Sequence, residues 1–179
     1  MNSIRSSRRA FTAALVALPA INTAASAATD TDNGLIHSAE AIHDEVTINA
    51  SRSRVYAALT DAKQFDGVTR LSDAINLVTA PNASATAIST EIGGAFTLFG
   101  GYITGRQIEL VRDQRLVQVW RSASWGPGDF SIVRFVLADA GAGTQVILDH
   151  RGFPPGRGAD LASGWYSHYW EPLRKFLAQ

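Results

Sequence analysis

The sequence predicts an α+β domain in which a curved antiparallel sheet is covered on one face by a long C-terminal helix. Three observations predict it. Runs of strand-like alternation fill the middle of the chain, a short helical insert separates the first strand from the others, and a helical period of apolar residues closes the chain.

The first residues are not expected to belong to that domain. Positive charge at Arg5, Arg8 and Arg9, an apolar run from Ala10 to Ile21 and the small triplet Ala25-Ser26-Ala27 have the three-part layout of a signal peptide. The run is about a dozen residues and contains Pro19, whereas a bilayer-spanning helix takes roughly 20 apolar residues, so cleavage is expected and not anchoring. The surroundings of Arg8 and Arg9 resemble the twin-arginine export motif, with Thr12 and Ala13 where a large apolar residue and a lysine commonly stand. The expected organisation is a signal peptide over 1–27, a flexible lead-in over 28–41 and a domain over 42–179, exported to the periplasm or secreted by a bacterium.

Composition narrows the function. The chain holds 16 basic and 16 acidic residues; removing the first 27, with three arginines and no acid, leaves 13 against 16, a net −3. A mildly acidic domain lacks the basic footprint of a nucleic-acid or anionic-membrane binder. With no cysteine, disulfides and thiolate metal sites are excluded and stability rests on burial. No second long apolar segment follows, so no membrane insertion is expected after cleavage.

The elements follow in order. His43 to Asn49 alternates as a strand, with Val46 and Ile48 on one face. Ser51 can cap a helix carrying Val55, Ala58, Leu59 and Ala62 on one side, and a second short helix is expected near Ala62 to Phe65. Arg70 to Ser84 reads as an irregular or weakly stranded connection with a turn at Pro81-Asn82. Strands are expected near 86–91, 95–99, 102–111, 115–122, 129–138 and 144–151, separated by Gly-rich or polar turns. After Gly152 to Gly156 the period is helical: Leu161, Trp165, His168 or Tyr169, Pro172 and Phe176 fall on one stripe, with Pro172 expected to kink or break it.

Several separated blocks resemble a known family. They are Val46-Thr47-Ile48-Asn49-Ala50 leading to Val55-Tyr56-Ala57-Ala58-Leu59-Thr60-Asp61; Gly93-Gly94-Ala95-Phe96; Leu116 to Arg121; His150-Arg151-Gly152-Phe153-Pro154; and Gly164-Trp165 with Tyr169-Trp170. Their order over about Ile42 to Leu177 resembles the domain named after the activator of the Hsp90 ATPase, within the SRPBCC, START-like or Bet v 1-like superfamily. The resemblance implies a helix-grip fold, often with a cavity between sheet and terminal helix. The chain departs from it in a longer Ala- and Asn-rich stretch from Asp73 to Thr86, and in Ser51-Arg52-Ser53 where many relatives carry a proline.

Candidate binding residues are Phe96, Phe99, Tyr102, Trp120, His150, Trp165 and Tyr169, with Phe130 in the same aromatic set. They either line a cleft or fill the core, since aromatic side chains supply large buried area in any fold. His150 shares a strand face with Val146 and Leu148, so it points inward. An inward imidazole binds a ligand, transfers a proton, or serves as a hydrogen-bonded structural group, the last being the common case. His168 could approach it or face water. No His and carboxylate spacing suggests a metal, no serine elbow or cysteine nucleophile is present, and no cofactor is expected.

Three functions compete. The aromatic set favours non-enzymatic binding of a small hydrophobic or aromatic molecule. His150 with Tyr102 or Tyr169 would suit an enzyme of the cyclase, dehydratase or hydrolase type that some superfamily members resemble, its catalytic residues unassigned. The family name implies a chaperone-interacting module, against which the export signal weighs because an Hsp90-type partner and its ATP belong to the cytoplasm. Neither the ligand nor the oligomeric state is written in these residues.

Overall fold

Seven strands pair antiparallel in the order β1-β7-β6-β5-β4-β3-β2, so the meander β2 to β7 runs sequentially and the first strand closes onto the last. The structure, a computed structural model, describes residues 40–179. The expected signal peptide over 1–27 and nearly all of the expected lead-in lie outside the described residues.

β1 (Ala41–Ile48) starts two residues before its predicted beginning and pairs with β7 (Gly143–Arg151) from Ala41↔Arg151 to Ile48↔Thr144. α1 (Arg52–Thr60) follows the Ser51 cap, whose hydroxyl accepts from the Arg54 amide at 3.4 Å. α2 (Ala62–Thr69) is capped by Asp61, which accepts from the Gln64 amide at 2.9 Å, and runs four residues past its predicted end. The segment read as irregular or weakly stranded contains a helical turn instead, α3 (Ile75–Thr79).

The remaining strands are β2 (Ala87–Ile88), β3 (Ala95–Leu98), β4 (Ile103–Val111), β5 (Arg115–Ser122) and β6 (Ser131–Ala140). β4 carries a bulge at Ile108, between Gln107 and Glu109. The extra residue shifts the register, so Leu110 and not Glu109 follows Gln107 onto the inner face, and Ile108 is 49% exposed.

The terminal helix is continuous but not uniform. α4 (Gly158–Gly164) passes into a π-helical stretch, Trp165–Trp170, and then into α5 (Glu171–Leu177). The Glu171 amide donates to the Tyr166 carbonyl, five residues back. Pro172, which has no N–H to donate, is taken up directly after this widened turn. The extra residue rotates the apolar stripe: Trp165 is followed inward by Tyr169, Trp170, Leu173 and Leu177, and His168 and Phe176 are only half-buried.

The core lies between the sheet's inner face and these helices. Val133, Phe135, Val146 and Leu148 from the sheet meet Val55, Ala58, Phe65, Trp165 and Leu173, all nearly or wholly inaccessible. Among the described residues, no helix is long and apolar enough to cross a membrane.

Candidate functional site

Inward alternation on β5 presents Leu116, Gln118, Trp120 and Ser122 to the terminal helix. Trp165 and Tyr169 descend from that helix to meet Trp120, with ring centroids 5.0 Å apart for Trp120–Trp165, 5.9 Å for Trp120–Tyr169 and 4.4 Å for Trp165–Tyr169. Phe99 closes the cluster, 5.5 Å from Tyr169. These rings wall a half-enclosed pocket of about 200 Å³. Ile103, Leu77, Leu161 and Trp125 complete its apolar part, while Tyr102, Ser122, Ser124, His168, Arg157 and Asp160 supply its polar groups.

The backbone at Phe99 is left-handed, at φ 50°, followed by Gly100 at 67° and Gly101 at 98°. A phenylalanine rarely adopts such a φ, so the strain marks a place where surrounding packing overrides local preference. Gly100 is required here: a Cβ would fall 2.1 Å from the Leu77 carbonyl oxygen. The close approach brings the connection after α2 against the pocket, where Leu77 forms part of the wall, and the Ser84 amide secures it by donating to the Gly100 carbonyl at 2.9 Å.

The two tryptophans spend their indole N–H groups on buried polar partners. Trp165 donates to His150 Nδ1 at 3.1 Å, and Trp120 donates to Gln118 Oε1 at 2.8 Å. Since Nδ1 accepts, His150 carries its proton on Nε2 and donates to Ser131 Oγ at 2.7 Å. The imidazole is wholly buried, and burial lowers its pKa to about 4. Gln118 donates in turn to Gln107 Oε1, and Gln107 to the Ser89 carbonyl, both at 3.1 Å. Each of these buried groups therefore has a partner, as an apolar surrounding demands.

Five of the seven predicted binding residues, Phe99, Tyr102, Trp120, Trp165 and Tyr169, stand together in the pocket wall. Phe96 and His150 do not. Phe96 packs beneath Trp120, its centroid 6.3 Å away, in the space left by Gly105, where a Cβ would sit 2.3 Å from the Phe96 ring. His150 lies behind Trp165 with both ring nitrogens occupied, a geometry that offers no proton-transfer role with Tyr102 or Tyr169. Phe130 stands just before β6, 51% exposed, with the Arg121 guanidinium 5.9 Å from its ring centroid. His168 faces Phe99 at 6.1 Å and meets the Ser167 hydroxyl at 3.3 Å; burial lowers its pKa, partly opposed by Asp73.

Sequence reasoning missed Trp125, which enters from the β5–β6 loop. Arg121 holds that loop by donating to the carbonyls of Gly126 at 2.6 Å, Asp129 at 3.2 Å and Trp125 at 3.3 Å. It also missed Arg157 and Asp160, which face each other at 4.0 Å beside the pocket. Glu40 braces that corner, accepting from the Gly156 amide at 2.6 Å and the Gly158 amide at 2.9 Å. A tryptophan in a Gly-Pro-Gly loop was the one available signal. Among the described residues, no group of three or more His, Cys, Asp or Glu side chains could hold a metal ion.

A sheet gripping a terminal helix, with an aromatic pocket between them, defines a helix-grip domain of the Bet v 1-like type. The family described as Activator of Hsp90 ATPase homolog 1-like protein matches residues 49–178, and the chain belongs to it. It is 27% identical over 99 residues to the mouse activator of 90 kDa heat shock protein ATPase homolog 1 and 26% identical over 99 to the human one. Each alignment covers 55% of this chain and 29% of the relative, so the chain spans less than a third of either of these two relatives. Among solved structures, an Hsp90 activator from Plasmodium falciparum is similar with a TM-score of 0.63 and 22% identity, over 78% of this chain and 96% of that one. CalU16 from Micromonospora echinospora gives 0.60 and 20%, over 78% and 77%. At these identities the likeness establishes the fold alone.

Proposed function

We propose that this protein is exported and binds a small apolar or aromatic molecule, without catalysis, in the pocket between the sheet and the terminal helix. The observation that carries the reading is a pocket of about 200 Å³ walled by Phe99, Trp120, Trp165 and Tyr169. An apolar cavity of about 150 Å³ accommodates benzene, and drug-sized ligands fill roughly 300 Å³ or more, so the space suits a single substituted ring. Export rests on the charge, apolar run and small-residue triplet of residues 1–27.

Native mass spectrometry of protein purified from its own compartment, with a thermal-shift screen of aromatic compounds, tests the binding reading. A retained small molecule or a ligand-dependent rise in melting temperature is expected; no adduct and no shift with any compound sinks it. N-terminal sequencing of the same preparation should begin at Ala28.

The family membership and the likeness to an Hsp90 activator favour a second reading, a chaperone-interacting module. Recovery of uncleaved protein from the cytosol together with an Hsp90-type chaperone would put that reading first.

A further inference from the structure

The pocket is polar at one end and apolar at the other. Arg157, Asp160, Leu161, Gly164, Trp165 and His168 recur at the three- and four-residue spacing of one helical face, so a single stripe of the terminal helix lines the space. Exposure falls along that stripe: the Arg157 side chain is 47% exposed, whereas Trp165 is 2% exposed. A space of about 200 Å³ that touches both puts them within the length of one small molecule. The Trp120 and Trp165 indoles already donate to Gln118 and His150, so the closed end offers a ligand π faces and no free N–H.

The two charges at the open end are unequal. Arg157 and Asp160 approach to 4.0 Å, too far for a hydrogen bond, and among the described residues Arg157 has no other ionic partner. Its guanidinium N–H groups are therefore open to an acceptor. Asp160, 81% exposed, is the more solvated of the pair, and its charge is screened the more. From the sheet side come Tyr102, Ser122 and Ser124, the two serine hydroxyls 3.0 Å apart. Hydrogen bonds from the Ser124 and Ser122 hydroxyls, and then the Arg157 charge, lower the Tyr102 pKa against burial and Asp160. Arg157 thus outweighs Asp160 at that hydroxyl. Burial lowers the His168 pKa, against Asp73, so the wall behind is uncharged near neutral pH. The backbone on both sides of Arg157 is fixed, because the Gly156 and Gly158 amides donate to the two oxygens of Glu40 at 2.6 and 2.9 Å.

Resting on the binding reading above, we infer that the ligand is a single aromatic ring on a short chain ending in a carboxylate, the ring held among Phe99, Trp120 and Trp165 and the carboxylate accepting from Arg157 and the mouth hydroxyls of Tyr102 and Ser124. Arg157 is then the residue that separates acids from neutral rings of the same shape. Because the mouth is half open, neither charge is stripped fully of water, and the desolvation cost that burdens a buried ion pair stays small.

Isothermal titration calorimetry with 3-phenylpropionate, 3-phenylpropanamide and 3-phenylpropylamine tests this, using the purified protein and its Arg157→Gln and Asp160→Asn variants. The three probes share a ring and differ in the charge at the end of the chain. The expected result is a preference of about five- to tenfold for the acid over the amide in the wild type, weakening as salt is raised. Arg157→Gln should erase that preference, and Asp160→Asn should increase it about two- to threefold by removing the competing carboxylate. Both side chains are at the surface, so both variants should melt with the wild type. Equal binding of acid and amide, tightest binding of the amine, or a preference that survives Arg157→Gln overturns the ligand assignment while leaving the pocket as a binding site. Binding of none of the three overturns the assignment too, and the broader aromatic screen above then decides the binding reading separately.

Discussion

His150 shows how a residue of apparent catalytic chemistry becomes structural. Its alternation with Val146 and Leu148 was enough to place it inside, but its partners Ser131 and Trp165 lie 19 and 15 residues away, beyond the reach of any local pattern. The linkage to pH has a definite sign. An imidazole with an ordinary pKa of 6.5 when unfolded and about 4 when folded binds fewer protons in the folded state between those values. Its contribution is therefore constant above about pH 6.5 and declines toward pH 4, by about 3 kcal/mol in all. Asp149 is held below the usual carboxylate range, chiefly by its hydrogen bond from His43 and less by Arg134, and also loses stability as pH falls. The His150→Gln difference isolates the histidine. Urea denaturation should find the variant about 2 kcal/mol less stable at pH 7.5, with the gap closing or reversing at pH 4.5. A gap unchanged across that range would mean that His150 is not a buried neutral group. Gln107 and Gln118 were legible by the same alternation, since Gln118 lies between Leu116 and Trp120 on the inner face; only their role in turning the Trp120 N–H inward was not.

Elements held by distant contacts were the ones sequence reasoning misjudged. Ile75-Asn76-Leu77-Val78-Thr79 has β-branched residues and no side-chain cap, features of a strand or an irregular link, yet it forms α3. The adjoining glycine gives a reason: only a residue without Cβ at position 100 lets the Leu77 carbonyl approach so closely. Gly100→Ala should therefore destabilise the fold by about 1–3 kcal/mol and loosen this connection from the pocket. Hydrogen exchange would show it as faster loss of protection at Leu77 and Ser84. Gly128→Ala is the control, because Gly128 has φ 85° but nothing within 4 Å of where a Cβ would stand, and it should leave those amides unchanged. Equal protection in both variants would contradict the bracing role of Gly100. The π-helical turn was similarly hidden. Pro172 announced an interruption, but the sequence did not reveal whether the helix would kink, stop or absorb an extra residue, and that choice moved the buried stripe from Phe176 to Leu173 and Leu177.

At the scale of the whole molecule, most of the architecture was legible because a half-buried meander writes its alternation into every strand. The pairing of β1 with β7 joins residues about a hundred positions apart, and the cross-strand contacts of Asp149 with His43 at 2.9 Å and Arg134 at 2.6 Å lace that edge on the outer face. The pocket was legible as a set of aromatics but not as a shape, since Phe96 and Phe130 have the same chemistry as Phe99 and are set apart by the left-handed backbone at Phe99, the space that Gly105 opens for Phe96 and the exposed position of Phe130 just before β6. The central claim is that the space between β5 and the terminal helix is a ligand site. Residue-resolved NMR of the mature domain titrated with 3-phenylpropionate tests it most directly. Saturable shifts should concentrate at Phe99, Ile103, Trp120, Trp165 and Tyr169; saturating ligand that leaves these signals unmoved, or perturbs only the outer sheet face, would contradict it.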